Sequence, residues 1–313
     1  MEKCQMLGLG ELETVDRNRI QGTFITAGAV FIFTALQVSN TFAQEQTSDE
    51  LVLDGKAVAI KERSISCDGK PDDFPDYINT ERLVNCGSGK IVTFADYPNL
   101  ERLLQFTIKP DDKKLFGGNR AELADTRISK NGEEAWYRIS TLIPEDFPVN
   151  SQHRLVLAQW HELDQPGKPF HRPPLSHRLW NKEFAVELFN KQIIAKLGDE
   201  HDGQILYTAP ELEPGVFHDY AYKIIWAPDD RGEIHAWHRK CDVLDPSECN
   251  SDWVEFIDYK GSTGYDNAAV QGYYFKFGLY TTTKFDTTFT AYHSAYSSGK
   301  TPADIGLMDP MFK

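Results

Sequence analysis

The 313-residue chain has little positive charge: 33 lysines and arginines stand against 47 aspartates and glutamates, for a formal net charge of −14. A nucleic-acid-binding protein needs a broad basic surface, so this deficit argues against nucleic acid as the partner. A polyanion can still be held locally. One stretch after residue 161 concentrates cationic side chains, namely Lys168, His171, Arg172, His177, Arg178 and Lys182.

The sequence offers no hydrophobic run that would span a bilayer comfortably. The apolar stretch Gly22 to Leu36 follows Arg17 and Arg19 and precedes Thr41-Phe42-Ala43, a small-residue cleavage pattern. We therefore expect a signal peptide over residues 1–43, with an uncleaved anchor as the alternative. The mature protein would be secreted or periplasmic, with no integral membrane partner.

Cysteine is scarce, with five in the chain, and Cys4 lies in the predicted signal peptide. The remaining even number, Cys67, Cys86, Cys241 and Cys249, predicts two disulfides in an oxidising compartment. We favour Cys67 with Cys86 and Cys241 with Cys249 because both pairs close short loops, with free thiols as the alternative. Close CxxC pairs are absent, which argues against zinc.

A long helical pattern is also missing from the chain. Nine short runs instead have the pattern of β-strands, separated by turn residues such as Asn131-Gly132 and Asp202-Gly203. The runs are Leu103 to Ile108, Ala135 to Ile143, Leu155 to His161, Phe184 to Phe189, Gln192 to Leu197, Tyr220 to Trp226, Glu233 to Arg239, Tyr273 to Tyr280 and Phe285 to His293. They predict an all-β sandwich over residues 101–313, with residues 44–100 packing on its core as a covering segment.

Three segments place polar side chains at every second residue, which is the spacing of one face of a strand. These side chains are Arg120 and Glu122, then Gln159 and His161, then Tyr274, Lys276 and Tyr280. Phe275, Phe277, Leu279 and Trp160 would face the core. Lys276 is costly to bury unless an anionic group meets it. The stretch Glu162 to Arg178 contains four prolines and follows these residues, so we predict a substrate-binding flap there.

These segments carry a family resemblance. Gln159-Trp160-His161, Arg172-Pro173-Pro174-Leu175 and the run Tyr274 to Tyr280 resemble the signature of polysaccharide lyases of the heparin lyase and glucuronan lyase type. With Arg120 to Leu123, they are also similar to the three motifs of jelly-roll alginate lyases. The resemblance spans roughly residues 117–306 and implies a concanavalin A-like β-jelly-roll.

Two positions depart from the alginate lyase pattern. Ala124 stands where those enzymes usually carry a further arginine, and Trp160 stands where they usually carry a small aliphatic residue. The second difference follows the heparin and glucuronan lyase form, so the chain lies nearer to that group.

The resemblance implies cleavage of a uronic-acid polysaccharide by β-elimination. Gln159 and Arg120 would hold and polarise the uronate carboxylate, His161 or Tyr280 would act as the base, and Tyr280 would be the acid. Lys276 would lower the pKa of the Tyr280 phenol or bind a neighbouring carboxylate.

Further substrate contacts are expected around this set. Glu122 would orient Arg120, although a plain cross-strand ion pair is the alternative, and Tyr274 could stack on sugar rings. Arg172 and Arg178 would bind the acidic polysaccharide. We expect a monomer that needs no cofactor. A structural calcium ion with oxygen ligands from Asp229-Asp230 is the alternative, although the sequence contains no recognisable calcium-binding loop.

The sequence leaves several substrates and two alternative functions open. Low positive charge favours an unsulfated glucuronate polymer over heparin, with alginate second. A glycoside hydrolase would need paired carboxylates, for which Glu183 and Glu187 are the best candidates. A carbohydrate-binding β-sandwich without catalysis is the alternative from another class.

Overall fold

The computed structural model describes the chain from residue 50 onward, with gaps. The described residues are 50–53, 56–64, 78–79, 89–94, 103–115, 117–125, 127–148, 153–163, 171–180, 183–190, 203–209, 212–241, 249, 251–266 and 272–312. Of these, side chains are described from residue 103 onward, except that of residue 295. The predicted signal peptide, Cys67, Cys86 and the predicted strand Gln192 to Leu197 lie outside the described residues.

The described part of the chain contains sixteen β-strands, two short 3₁₀ helices and no α-helix. The strands are β1 (Glu50–Leu53), β2 (Lys56–Ser64), β3 (Ile78–Asn79), β4 (Gly89–Phe94), β5 (Leu103–Ile108), β6 (Asn119–Asp125), β7 (Glu134–Leu142), β8 (Leu155–Glu162), β9 (Leu175–Trp180), β10 (Glu183–Leu188), β11 (Gln204–Ala209), β12 (Phe217–Ile225), β13 (Glu233–Cys241), β14 (Val254–Lys260), β15 (Tyr273–Thr281) and β16 (Phe289–Gly299). The 3₁₀ helices are Pro302–Ile305 and Pro310–Phe312.

The strands form two antiparallel sheets that pack as a sandwich. The nine-stranded sheet has the order β1-β2-β4-β5-β16-β7-β12-β13-β14, and the seven-stranded sheet has the order β11-β10-β9-β8-β15-β6-β3. Apolar side chains at alternate positions of both sheets meet in one core, including Phe106, Trp160, Tyr222, Phe275 and Phe277. The all-β jelly-roll prediction is confirmed.

Strands from residues 50–94 belong to both sheets. β4 pairs with β5 and with β2, which extends the nine-stranded sheet, while β3 pairs with β6 at the edge of the other sheet. The segment that we expected to cover the core thus adds hydrogen-bonded strands to both sheets. The domain boundary near residue 100 stays a prediction.

Strand β9 begins inside the stretch that we predicted as a loop and continues past its end. The four prolines end at Pro174, and alternation begins directly after them, since Leu175 and Leu179 are buried in the core. His177, counted above among the cationic residues, also points inward and bonds the Tyr222 hydroxyl through Nε2 at 2.6 Å. Burial lowers the pKa of His177 to about 3, so this ring is neutral and does not contribute to a cationic surface.

The last predicted strand begins later than expected. β16 starts at Phe289, and Phe285 precedes it in the connection from β15, where its ring packs against Phe289 at 5.6 Å between centroids. The buried ring of Phe285, which lies in a connection, extended the apolar pattern of the sequence and made the predicted strand too long. β11 and β14 were not predicted, and both include exposed apolar side chains, Ile205 and Val254.

A disulfide joins Cys241, the last residue of β13, to Cys249. This confirms one of the two predicted pairs. No helix among the described residues is long and apolar enough to cross a membrane.

Candidate active site

Three neighbouring strands of the seven-stranded sheet hold the predicted polar residues. β15 lies between β8 and β6, and its register places Tyr274 beside His161 and Lys276 beside Gln159. On the other side, Gly278 pairs with Glu122 and Tyr280 with Arg120. Directly paired residues of adjacent strands point to the same face, so the predicted set shares the sheet face turned away from the core. Trp160 is fully buried in the core, as predicted.

The Glu122 carboxylate is the centre of this face. Gln159 Nε2 donates to Glu122 Oε1 at 2.5 Å, and Arg120 Nη1 donates to Glu122 Oε2 at 3.2 Å. Lys276 Nζ lies 4.0 Å from Glu122 Oε2. All four side chains are buried, so each charge needs these partners. Arg120 and Glu122 lie two residues apart on β6, so their ion pair lies within one strand and is not the cross-strand pair that we named as the alternative.

Tyr280 lies beside this network through Arg120. The Arg120 guanidinium carbon lies 4.2 Å from the centroid of the Tyr280 ring. Burial raises the pKa of the Tyr280 phenol, while Arg120 and then Arg178 oppose the increase. The net direction is upward, and Lys276, which we expected either to lower this pKa or to bind a neighbouring carboxylate, is not among the causes. Tyr280 is therefore a phenol at neutral pH, which is the form of a proton donor.

His161 is held in one tautomer by the neighbouring backbone. Its Nδ1 lies 2.9 Å from the carbonyl oxygen of Glu162, which can only accept, so the ring proton is on Nδ1. In the neutral ring, Nε2 then carries the lone pair that a base requires. The Tyr274 ring packs beside His161, with centroids 5.7 Å apart, and both side chains are buried.

Glu162 also anchors residues within the predicted flap. Its carboxylate accepts from the His171 backbone N–H at 2.7 Å and from His171 Nδ1 at 3.0 Å. The His171 ring stacks on Tyr265 at 4.3 Å, and the Tyr265 hydroxyl donates to the Arg172 carbonyl at 2.6 Å. The Arg172 guanidinium lies 5.2 Å from the centroid of Phe189. Arg172 thus lies just before β9, on a fixed backbone.

Arg178 belongs to β9 and forms an ion pair with Glu187 of β10. Arg154 Nη2 also donates to both oxygens of Glu187, at 2.7 and 2.8 Å, and the Gly203 N–H adds a third donor at 3.0 Å. Burial lowers the pKa of Arg178 to about 10. Glu187 is therefore an ion-pair partner for two arginines, which does not match the hydrolase alternative. The sequence analysis did not identify Arg154 as a site residue, because Arg154 lies directly before β8, outside the alternating strand pattern.

The described residues contain no group of three or more His, Cys, Asp or Glu side chains that could hold a metal ion. Asp229, considered above for calcium, accepts from Arg231 Nε at 2.9 Å and from Nη2 at 2.7 Å. The cofactor prediction stays a prediction.

A family model described as polysaccharide lyase matches residues 90–297. The chain belongs to this polysaccharide lyase family, and the protein is a polysaccharide lyase, as the sequence motifs predicted.

Solved structures are similar to this chain. The endo-β-1,4-glucuronan lyase from the fungus Trichoderma reesei is similar over 78% of this chain and 96% of its own, with 18% identity and a TM-score of 0.54. A family 7 alginate lyase is similar over 72% of this chain and 84% of its own, with 13% identity and a TM-score of 0.41. A search of curated proteins gave no match.

Proposed function

We propose that this lyase cleaves a uronic-acid polysaccharide by β-elimination, and that its preferred substrate is an unsulfated glucuronate polymer. One observation supports the proposal most: three cationic or amide donors, Arg120, Gln159 and Lys276, surround a single buried carboxylate between Tyr280 and His161. The guanidinium of Arg120 and the side-chain amide of Gln159 are donors of the kind that bind a substrate carboxylate.

The chemistry needs those donors because the hydrogen on the carbon beside a uronate carboxylate is weakly acidic. Arg120 and Gln159 stabilise the enolate-like charge that develops when a base removes this proton. The carbon–oxygen bond to the leaving sugar then breaks, a carbon–carbon double bond forms, and Tyr280 protonates the leaving oxygen. Glu122 fixes the positions of Arg120 and Gln159 before substrate binds.

Two bases are compatible with the site. His161 would serve through Nε2 of its neutral ring when the proton and the leaving oxygen lie on opposite sides of the sugar, as in guluronate or iduronate. In glucuronate or mannuronate both lie on the same side, and Tyr280 can serve for both transfers once it has lost its proton. The raised pKa of Tyr280 favours its role as the acid.

Glucuronan is the first polymer to test, with alginate second and heparin third. The net charge of −14 disfavours a heavily sulfated chain, while local cations suit one carboxylate per sugar. The Cys241–Cys249 disulfide supports export to an oxidising compartment, in keeping with the proposed signal peptide.

The test is absorbance in the ultraviolet band of unsaturated uronates during incubation with glucuronan, alginate, heparin and hyaluronan in turn. We expect an increase on glucuronan. Tyr280→Phe should lower the rate by about 10²- to 10⁴-fold, because the general acid is lost. Tyr259→Phe is the matched control, since Tyr259 lies on β14 of the other sheet and bonds the Ser262 carbonyl.

His161→Ala then identifies the base. Retained cleavage of glucuronan would restrict His161 to binding, whereas a loss similar to that of Tyr280→Phe would assign it the proton abstraction. His235→Ala on β13 controls for loss of a histidine elsewhere. Ordinary activity in Tyr280→Phe, or reducing ends without unsaturated product, would reject β-elimination at this site.

A further inference from the structure

A row of polar side chains crosses the sheet through the candidate active site and includes a residue that has no role so far. Lys276 on β15 pairs with Gln159 on β8, and Gln159 pairs with Ser176 on β9. Directly paired residues of adjacent strands point to the same face, so Ser176 lies on the face that carries the candidate active site. Adjacent strands lie about 4.8 Å apart, which places the Ser176 backbone about 5 Å from that of Gln159.

The neighbours of Ser176 on β9 support this orientation. Leu175 is buried in the core of the sandwich, and His177 bonds to the hydroxyl of Tyr222, which lies on β12 of the other sheet. Successive side chains of a strand point to opposite faces, so Ser176 points away from the core. Ser176 is 1% exposed, and Gln159 is 2% exposed. Ser176 is therefore as deeply buried as a residue that we propose to bind the substrate carboxylate.

The Ser176 hydroxyl has no hydrogen-bond partner in the part of the chain that the structure describes. Gln159, on one side of it, donates to Glu122 through Nε2. Glu187, which pairs with Ser176 on the other side, accepts from Arg154. A buried hydroxyl is normally hydrogen-bonded, because an unpaired polar atom in the interior costs free energy. A ligand that supplies a partner to Ser176 removes this cost.

We propose that Ser176 is a substrate-binding residue whose hydroxyl bonds to a ring hydroxyl of the uronate sugar. A serine hydroxyl can donate and accept, which suits a sugar hydroxyl, since that group can also do both. The carboxylate and the ring hydroxyls of a uronate lie on different carbons of one ring, so a sugar held by Gln159 through its carboxylate can present a hydroxyl to the adjacent strand. The proposal rests on the proposed function for its substrate class.

The test is Ser176→Ala, assayed on glucuronan by the absorbance of unsaturated uronates. We expect kcat/KM to fall about three- to tenfold, because the complex loses one hydrogen bond between neutral groups. The change should be in KM, with kcat nearly unchanged, since the contact is made equally before and during the proton transfers. In urea unfolding, Ser176→Ala should be as stable as the unaltered protein or more stable, because the removed hydroxyl has no partner in the free protein.

Ser294→Ala is the matched control. Ser294 is 4% exposed and lies on β16 of the other sheet, and its hydroxyl also has no hydrogen-bond partner among the described residues. This variant should resemble Ser176→Ala in stability and the unaltered protein in KM. An unchanged KM in Ser176→Ala, an equal increase of KM in Ser294→Ala, or a marked loss of stability in Ser176→Ala alone would reject the role of Ser176.

A binding measurement separates this proposal from the proposed function. In the Tyr280→Phe background, calorimetry with a glucuronate oligomer should give a Kd that Ser176→Ala raises about three- to tenfold. Such an increase without any cleavage by the unaltered protein would support the binding role of Ser176 and reject lyase chemistry on this polymer. Cleavage by the unaltered protein, with a Kd that Ser176→Ala leaves unchanged, would support the proposed function and reject the role of Ser176.

Discussion

At the scale of single residues, the site depends on how Arg120 divides its contacts. Its guanidinium donates to Glu122 and also lies over the Tyr280 ring, so one cation affects both the carboxylate-binding groups and the proton donor. Tyr280 experiences two opposing influences, since burial raises the pKa of its phenol while the Arg120 charge lowers it. The net direction is upward, so Tyr280 at neutral pH is in the phenol form that can protonate a leaving oxygen.

Replacement of Arg120 by glutamine should change both properties. The pKa of Tyr280, already above its ordinary value of 10.0, should rise further because a cation beside a phenol favours the phenolate and is now lost. In the same variant, kcat/KM should fall about 10²-fold through loss of one donor to the developing charge. Carbon NMR of Cζ-labelled tyrosine, with the Tyr280 signal assigned by its absence in Tyr280→Phe, measures the titration.

Arg231→Gln is the control for this experiment. Arg231 is exposed and pairs with Asp229, far along the chain from the candidate site. Titration of Tyr280 below pH 10 in the unaltered protein, or a lower pKa in Arg120→Gln, would contradict the electrostatic account.

At the scale of elements, strand β15 depends on Gly278. Its φ of +138° lies in the region that favours glycine, and a Cβ there would lie 2.1 Å from the Ala121 carbonyl oxygen on β6. The register between β15 and β8 shifts between Phe277 and Tyr280, around this residue. Gly278 thus permits the close approach of β6 and the local turn of β15 that positions Tyr280.

Gly278→Ala should therefore lower the free energy of unfolding by about 2 kcal/mol or more and also reduce activity. Urea unfolding followed by circular dichroism measures the first effect. Gly132→Ala is the matched control: Gly132 also has a positive φ, +82°, yet its Cβ would meet no atom within 4 Å. Equal losses in the two variants would show that backbone conformation alone, without the contact to β6, sets the cost.

The same elements show what could be predicted from the sequence. Alternation in β8 and β15 predicted which side chains share a face, because the two faces of these strands differ sharply in polarity. The convergence of Gln159 and Lys276 on Glu122 could not be predicted, since it depends on pairing between strands that are distant in the chain. β9 was hidden by the prolines before it and by His177, a polar residue that points into the core.

At the scale of the whole molecule, buried neutral histidines join the two sheets. His293 of β16 contacts the Gly278 carbonyl on β15 through Nε2 at 3.2 Å and the Thr141 hydroxyl through Nδ1 at 3.1 Å. A carbonyl can only accept, so the proton is on Nε2, and Nδ1 accepts from Thr141. Burial lowers the pKa of His293 to about 4 and that of His177 to about 3.

These histidines should make the fold sensitive to acid. A histidine in the unfolded chain has a pKa of about 6.5, whereas these histidines have lower pKa values in the folded protein. Between the two pKa values the unfolded chain binds protons that the folded protein does not bind. The stabilisation is complete above pH 6.5 and is lost as the pH falls toward about 4 for His293 and about 3 for His177. Each histidine should contribute up to about 1.4 kcal/mol per pH unit in that window.

Urea unfolding at a series of pH values between 7 and 4 measures this slope. His293→Gln should be less stable at pH 7, because it disturbs the contacts to Gly278 and Thr141, but its stability should depend less steeply on pH. His235→Gln is the control, since His235 lies partly exposed on β13 beside Glu255. A slope in His293→Gln as steep as that of the unaltered protein would mean that other groups, such as the buried carboxylates, set the acid sensitivity of the sandwich.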